Sequence, residues 1–243
     1  MEATIYSIRI SHPGKTAELM LRHKGIDAER VEILLGSQRL LMRRHGFSGG
    51  TVPGLKLDGE RVLGTLEIAR ALERAVPEPS LYPDDPARRA AVEEAEAWGE
   101  RTWQPVPRRI FRWAVSTDSE LRATLAKALG MPVPGLTQNL MLLLAKAFVR
   151  SEGGGAEAVQ RNLGELPSHL EHIDALIAAG TLSAEEPNAA DFQIATTTRV
   201  LLNFPQIRPL IEARPAGEHA MRIAADFGRE MPVKLPADWL PAG

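Results

Sequence analysis

Residues 51–76, TVPGLKLDGERVLGTLEIARALERAV, carry the clearest structural signal in the chain. Two short β-type runs, Gly54–Asp58 and Arg61–Leu63, flank the dipeptide Asp58-Gly59, which favours a tight hairpin turn. Apolar residues then recur at helical spacing from Thr65 onward. The stretch therefore predicts two antiparallel strands followed by a helix.

The residues before this unit predict a strand, a helix and a second strand. Ala3–Ile8 is short and rich in β-branched and aromatic residues, and the sequence Ser11-His12-Pro13-Gly14 ends it. A helical pattern starts at Pro13 and stops at Gly25. Val31–Leu35 predicts the second strand, whereas residues 36–52, rich in Gly, Arg and Ser, predict an irregular segment.

The two units together predict a small α/β domain over residues 1–78. Prolines mark a linker at residues 79–87, and residues 88–243 show helical periodicity with almost no strand signal. Gln138–Arg150 is apolar nearly all round, which predicts a central buried helix. The other predicted helices are Arg88–Trp103, Arg108–Val115, Glu157–Ala179, Ala189–Leu202 and Ala216–Glu230. The predicted fold class is an α/β domain followed by an all-α bundle.

The composition excludes several classes of function. A formal net charge of −2 gives no field suited to nucleic acid or to an anionic membrane, and no apolar run approaches the roughly 20 residues that span a bilayer. The N-terminus lacks the pattern of a secretory signal, so we expect a cytoplasmic protein. Because the chain has no cysteine, it has no thiol with which to form a mixed disulfide. The six histidines show no metal-ligand spacing, and we expect no metal.

Several local patterns occur in the order found in a known family. Ser11-His12-Pro13-Gly14 follows the first strand, where thioredoxin-like proteins carry Cys-x-x-Cys, and Thr51-Val52-Pro53 precedes the hairpin. Leu81–Arg89, LYPDDPARR, joins the predicted domains, and Asn188-Ala-Ala-Asp191 begins a bundle helix. These patterns resemble the glutathione S-transferase-like superfamily. The resemblance implies a thioredoxin-like N-terminal domain, an all-helical C-terminal domain and a homodimer in which the N-terminal domain of one subunit meets the bundle of the other.

The resemblance implies a catalytic role for Ser11. Its hydroxyl would donate a hydrogen bond to the sulfur of glutathione, whose thiolate is the reactive form, and the dipole of the helix that follows would favour the negative charge. His12 would contact the same thiol. The residue types alone favour a simple helix cap at Ser11, and the resemblance brings the capping and catalytic roles to near parity. Tyr6 and Ser7 are alternative activators, because some branches of the family use a tyrosine at the end of the first strand.

Two further segments are implied to bind glutathione. The resemblance implies a cis Val52-Pro53 peptide bond, with the backbone groups of Val52 paired to the cysteinyl backbone of the ligand. Thr65 opens a helix, so its hydroxyl and the neighbouring N–H groups can bind a carboxylate. The family typically has an acidic residue before a serine at this point, but this chain has Gly64 before Thr65. Gly64 supplies no carboxylate for the ammonium group of glutathione, so a different thiol and the loss of activity stay open as alternatives.

The remaining site predictions concern the pocket and the bundle core. The resemblance implies an electrophile pocket between the domains, and Trp103 and Phe111 are the predicted pocket residues, although aromatic side chains at such spacings more often pack in a core. Asn188 and Asp191 predict a variant capping box with a structural role.

Three functions remain open at this point. The leading hypothesis is a transferase that conjugates a small thiol, glutathione, to a small apolar electrophile, with no metal and no nucleic-acid or membrane partner. A transferase that uses another thiol is the second. The third is a binding or scaffold protein that keeps the fold without catalysis, since fold alone does not establish chemistry.

Overall fold

A four-stranded sheet with three helices forms the N-terminal domain of the computed structural model, which describes residues 1–34, 36–128, 134–151, 153–228 and 231–241. The strands are β1 (Ala3–Ser7), β2 (Glu29–Glu32), β3 (Gly54–Leu57) and β4 (Glu60–Leu63), and the helices are α1 (His12–His23), α2 (Gln38–Arg44) and α3 (Thr65–Ala75). The strand order is β2-β1-β3-β4, with β2 parallel and β3 antiparallel to β1. The predicted thioredoxin-like domain is confirmed.

Two predictions in this domain were wrong. The second strand lies at Glu29–Glu32 rather than Val31–Leu35, because it is a mostly exposed edge strand whose charged side chains give no apolar signal. Within that predicted range, Leu35 lies outside the described residues. Residues 36–52 are not wholly irregular, since they contain α2. This helix buries Met42 alone, which is too few residues to produce a visible period.

All regular secondary structure in the described residues of the C-terminal domain is helical, as predicted. Its helices are α4 (Pro86–Trp98), α5 (Pro105–Thr117), α6 (Ser119–Ala128), α7 (Pro134–Ser151), α8 (Ala156–Gly164), α9 (Leu166–Ala178), α10 (Ala189–Leu201), α11 (Pro209–Glu212) and α12 (Pro215–Ile223). A π-helical segment, Gly99–Trp103, joins α4 to α5, and a 3₁₀ turn lies at Ala237–Trp239. Pro105 is the first residue of α5, where proline is tolerated because the first helical position needs no N–H donor. No described helix is long and apolar enough to cross a membrane.

The central helix of the bundle is α10, and the prediction that Gln138–Arg150 is buried was wrong. Every residue of α10 except Arg199 is buried. In α7, by contrast, Leu136, Leu140 and Leu143 are exposed to 68, 50 and 66%. An apolar composition therefore identified a helix correctly but not the surface against which it packs.

The start of α10 is fixed by a buried carboxylate. Asp191 is fully buried and its Oδ2 accepts the backbone N–H of Asn188 at 2.8 Å, while Asn188 Oδ1 accepts the N–H of Asp191 at 3.3 Å. The predicted capping box is thus confirmed. Asp191 Oδ1 also accepts the N–H of Ser183 at 2.7 Å and lies 3.1 Å from Nε2 of His219.

Contacts between the domains are polar as well as apolar. On α1, Thr16 Oγ1 lies 2.6 Å from Thr196 Oγ1 of α10, and both hydroxyls are buried. At the linker, the Tyr82 hydroxyl donates to the carboxylate of Glu96 at 3.1 Å, and Arg70 of α3 lies 3.4 Å from the same carboxylate. Burial raises the pKa of Glu96 to about 7, and Arg70 opposes this rise.

We expect Asp191→Ala to lower the free energy of unfolding by about 2–4 kcal/mol, because it removes a cap and leaves buried N–H groups without an acceptor. Asp85→Ala is the control. Asp85 caps α4 at an exposed position through one hydrogen bond from the N–H of Arg88, at 2.8 Å, and its loss should cost about 1 kcal/mol. Chemical denaturation of both variants measures the difference. Equal losses would contradict a special role for Asp191.

Candidate functional site

The sheet brings the predicted site segments to one edge. Because β1 and β3 are antiparallel, the end of β1 lies beside the start of β3, with Tyr6 opposite Gly54. The end of β4, at Leu63, is also opposite Gly54. Three segments therefore lie at this edge: the loop from β1 to Ser11, the Val52-Pro53 dipeptide that leads into β3, and the start of α3. The N–H of Gly64 donates to the carbonyl of Pro53 at 2.9 Å, which joins the last two.

Ser11 is the N-cap of α1 and is half-buried. Its Oγ accepts the N–H of Gly14 at 3.1 Å, and its own N–H donates to the carbonyl of Ile8 at 2.9 Å. The backbone around Ser11 is therefore held by the first turn of the helix. Because Oγ acts as the acceptor for Gly14, its hydroxyl proton remains available to donate to a ligand. Capping and ligand binding are compatible roles at this position.

The two alternative activators lie elsewhere. Ser7 is fully buried beneath the first turn of α1, where a Cβ at Gly14 would overlap its Oγ. Tyr6 is buried on the face of the sheet that packs against α2, with its ring 4.7 Å from that of His45 and 5.1 Å from that of Phe47. Of the three candidates, Ser11 is the most accessible in the structure.

His12 is a buried neutral residue. Its side chain is 5% exposed, and its Nε2 has no hydrogen-bond partner among the described residues. Burial, together with the positive charge of Arg108, lowers the pKa of His12 to about 3. The imidazole is thus uncharged at neutral pH, so any contribution of His12 to a thiol site is through a neutral ring.

Thr65 is buried at the start of α3 and contacts a carboxylate from the other domain. Its hydroxyl donates to Oε2 of Glu100 at 2.9 Å, and Glu100 belongs to the π-helical segment after α4. The same oxygen accepts hydrogen bonds from the amides of Gln104 at 3.2 Å and Gln193 at 2.9 Å. Three donors thus hold the carboxylate of Glu100 beside the first turn of α3.

Glu100 was not predicted from the sequence. The residue next to Thr65 is Gly64, whereas Glu100 lies 35 residues further along the chain than Thr65. The signal that could have pointed to it is weak. Glu100 and Gln104 are four residues apart, on one face of a helix, and both side chains are polar although the buried Trp103 lies between them in the sequence.

The Val52-Pro53 peptide bond is cis, as the resemblance implied, and so is Glu78-Pro79, for which there was no expectation. Val52 is half-buried and Pro53 is buried directly before β3.

The two predicted pocket residues differ in burial. The structure places Trp103 in the core, fully buried, with its indole N–H donating to the hydroxyl of Thr198 at 3.0 Å. Phe111 is half-buried against the main hydrophobic core.

A groove of about 690 Å³ borders Ser11. Ile5, Leu21 and Phe227 contribute apolar surface to it, and basic side chains including Lys15 line it as well. Among the residues that line it, Ser11 is the one that the sequence analysis proposed for the site.

Comparisons with known proteins identify relatives of this chain. A family model described as glutathione S-transferase, N-terminal domain, matches residues 5–80. No curated protein sequence gives a significant match. Among solved structures, glutathione transferase F2 from Populus trichocarpa superposes with a TM-score of 0.62 at 14% identity, over 93% of this chain and 94% of that one.

Two further structures are similar at low identity. A beta-etherase from Sphingobium sp. strain SYK-6 gives a TM-score of 0.62 at 18% identity, over 91% of this chain and 99% of that one. A glutathione transferase homolog from Burkholderia GL BGR1, solved with bound glutathione, gives a TM-score of 0.50 at 17% identity, over 94% of this chain and 100% of that one. Identities at this level show a common fold.

We expect Gly14→Ala to destabilise the protein by about 1–3 kcal/mol, because the new methyl group overlaps Ser7 Oγ. Gly164→Ala is the matched control. Gly164 is helical with open space around its Cβ position, so the substitution should stabilise by about 0.5–1 kcal/mol. Adding Ser7→Gly to Gly14→Ala should recover part of the loss in thermal or chemical denaturation. Stabilisation by both single alanine variants would refute the close contact.

Proposed function

We propose that this chain conjugates glutathione to a small apolar electrophile. The proposal starts from the match of residues 5–80 to the glutathione S-transferase N-terminal domain and from the fold that the chain shares with glutathione transferases. The observation that carries the proposal is the meeting of Ser11, Val52-Pro53 and Thr65 at one edge of the sheet. Glutathione has a thiol in the middle and an amino-acid group at one end, so it offers one group to Ser11 and another to the start of α3.

Ser11 activates the thiol in this proposal. A free thiol has a pKa of about 8.5, so at neutral pH it is mostly protonated and poorly reactive. The Ser11 hydroxyl donates a hydrogen bond to the sulfur, and the N-terminal end of α1 favours its negative charge. The thiol proton passes to solvent, a sulfur electron pair forms the bond to the electrophilic carbon, and the leaving group departs with the bonding pair.

Glu100 and α3 bind the γ-glutamyl end of glutathione. That end carries both an ammonium and a carboxylate group. The ammonium pairs with Glu100, whose Oε2 is already held by Thr65 and Gln193, while the carboxylate binds N–H groups in the first turn of α3. Glu100 thus supplies the negative charge that Gly64 does not, and the C-terminal domain completes the thiol site.

A binding protein without turnover is the second candidate. The observation that favours it is the burial of Trp103, which leaves the predicted electrophile pocket without its main aromatic wall. Such a protein would bind a thiol ligand without accelerating its reaction. A transferase with another small thiol would share the Ser11 chemistry but would not need Glu100.

We expect glutathione to bind in calorimetric titration and Glu100→Gln to weaken that binding by about tenfold or more, because a charge-assisted contact is lost. Thr65→Ala should weaken it as well. Glu94→Gln, at an exposed position on α4, is the control and should bind like the unmodified protein. A glutathione analogue without the amino group should bind equally to the Glu100→Gln variant and to the unmodified protein. No detectable binding of glutathione would favour another thiol or a different kind of ligand.

We expect Ser11→Ala to lower the conjugation rate by about 10- to 100-fold, because one hydrogen bond to a charged sulfur is lost. The apparent pKa in the pH–rate profile should rise, since the thiolate is less stabilised. Tyr6→Phe is the control and should leave the profile unchanged. A rise in apparent pKa with Tyr6→Phe and not with Ser11→Ala would reassign the activator. If glutathione binds but no electrophile reacts faster than in buffer, the non-catalytic candidate is favoured.

A further inference from the structure

Two segments of the described chain carry most of its exposed large apolar side chains. Eight large apolar residues are exposed in the described chain, and five of them are leucines in two segments. Leu34 follows β2 by two residues and is 68% exposed, and Leu40 lies on α2 and is 71% exposed. The other three, on α7, are Leu136, Leu140 and Leu143. We call these five leucines and the basic residues around them the cationic apolar face.

The two segments are neighbours in the structure. A Cβ built on Gly36, between Leu34 and α2, would lie 3.0 Å from a side-chain carbon of Leu144 on α7. Leu136, Leu140 and Leu143 follow the spacing of one helical face, and Leu144 stands beside that face. The N-terminal and C-terminal domains therefore both contribute to this surface.

The charge of these segments differs from that of the whole chain. The chain carries 31 acidic residues against 29 basic ones, yet no acidic residue occurs between Glu32 and Asp58 or between Glu120 and Glu152. Exposed basic residues accompany the leucines in both segments: Arg39, Arg43, Arg44, Lys146 and Arg150. The overall charge of −2, from which the sequence analysis predicted no membrane partner, conceals this separation.

We propose that the cationic apolar face binds the surface of an anionic lipid membrane. Exposed leucines enter the boundary between headgroups and acyl chains, while Lys and Arg side chains stay at the level of the anionic headgroups. Large apolar patches on a protein surface mark interaction sites, and the basic residues identify the charge of the partner. The proposal is independent of the thiol chemistry.

Charge complementarity favours this occupant over two others. A second copy that docked face to face through this surface would bring like basic charges against one another, which is unfavourable across an interface. A nucleic acid would satisfy the arginines but would give the exposed leucines no apolar partner. An anionic bilayer satisfies both properties.

The test is co-sedimentation of the full chain with lipid vesicles, either phosphatidylcholine alone or phosphatidylcholine with about one third phosphatidylglycerol, in low and high salt. We expect binding to the anionic vesicles that salt weakens. Leu140→Ser with Leu143→Ser should weaken it about tenfold or more, since both side chains lose their contact with lipid. Met221→Ser, at an exposed apolar position on α12, is the matched control and should change nothing.

The charge contribution is tested separately. Arg39→Gln with Arg43→Gln should weaken binding by about fivefold per residue. Arg88→Gln with Arg222→Gln, at exposed positions outside this face, is the control for net charge. Absence of binding to anionic vesicles would overturn the proposal, as would equal binding by the leucine pair and the unmodified chain. A dimer in light scattering that dissociates with Leu140→Ser and Leu143→Ser would assign the face to a second copy instead.

Discussion

The carboxylate of Asp191 is the constraint on which the arrangement of the two domains depends. It is fully buried, and its oxygens accept the N–H groups of Asn188 and Ser183, so α10 can begin in only one position. Burial raises the pKa of Asp191, and the nearby His219 opposes this rise. Because α10 is buried along its length and Thr196 contacts Thr16 of α1, fixing α10 also fixes α1. The N-terminus of α1 carries Ser11, so a structural carboxylate in one domain determines where the candidate thiol activator lies in the other.

Glu100 is a second residue that links the two domains. Its carboxylate comes from the segment after α4 but lies at the start of α3, where Thr65 and Gln193 both donate to it. Gln193 belongs to α10, so the helix that Asp191 begins also holds this carboxylate. The proposed γ-glutamyl site is therefore a product of the domain interface, and a change in domain packing would alter ligand binding without touching a ligand contact. The absence of an acid at Gly64 is consistent with a thiol site once this interface is considered.

The parts of the structure that were predictable from sequence are those with a local cause. The hairpin was predictable because Asp58-Gly59 supplies two left-handed residues, with φ of 45° and 91°, and the capping box because Asn188 and Asp191 are three residues apart. The edge strand β2 and the short α2 give little pattern, since few of their side chains are buried. Glu100 was missed because its partner, Thr65, is distant in sequence. The burial of α7 was wrongly predicted. Its apolar composition shows that burial would be favourable, but it does not show which other element packs against it.

The exposure of α7 then has a physical meaning for the proposed chemistry. Apolar electrophiles partition into lipid, so their concentration is higher at a membrane than in the surrounding water. Gly36, which contacts α7, lies on the chain segment that leads through α2 to Val52-Pro53, at the edge of the sheet where the thiol site is proposed. Glutathione is charged and stays in water, whereas the apolar electrophile of the proposed reaction would collect at the lipid boundary. A transferase held at that boundary through the cationic apolar face meets both reactants at the concentrations that favour their reaction.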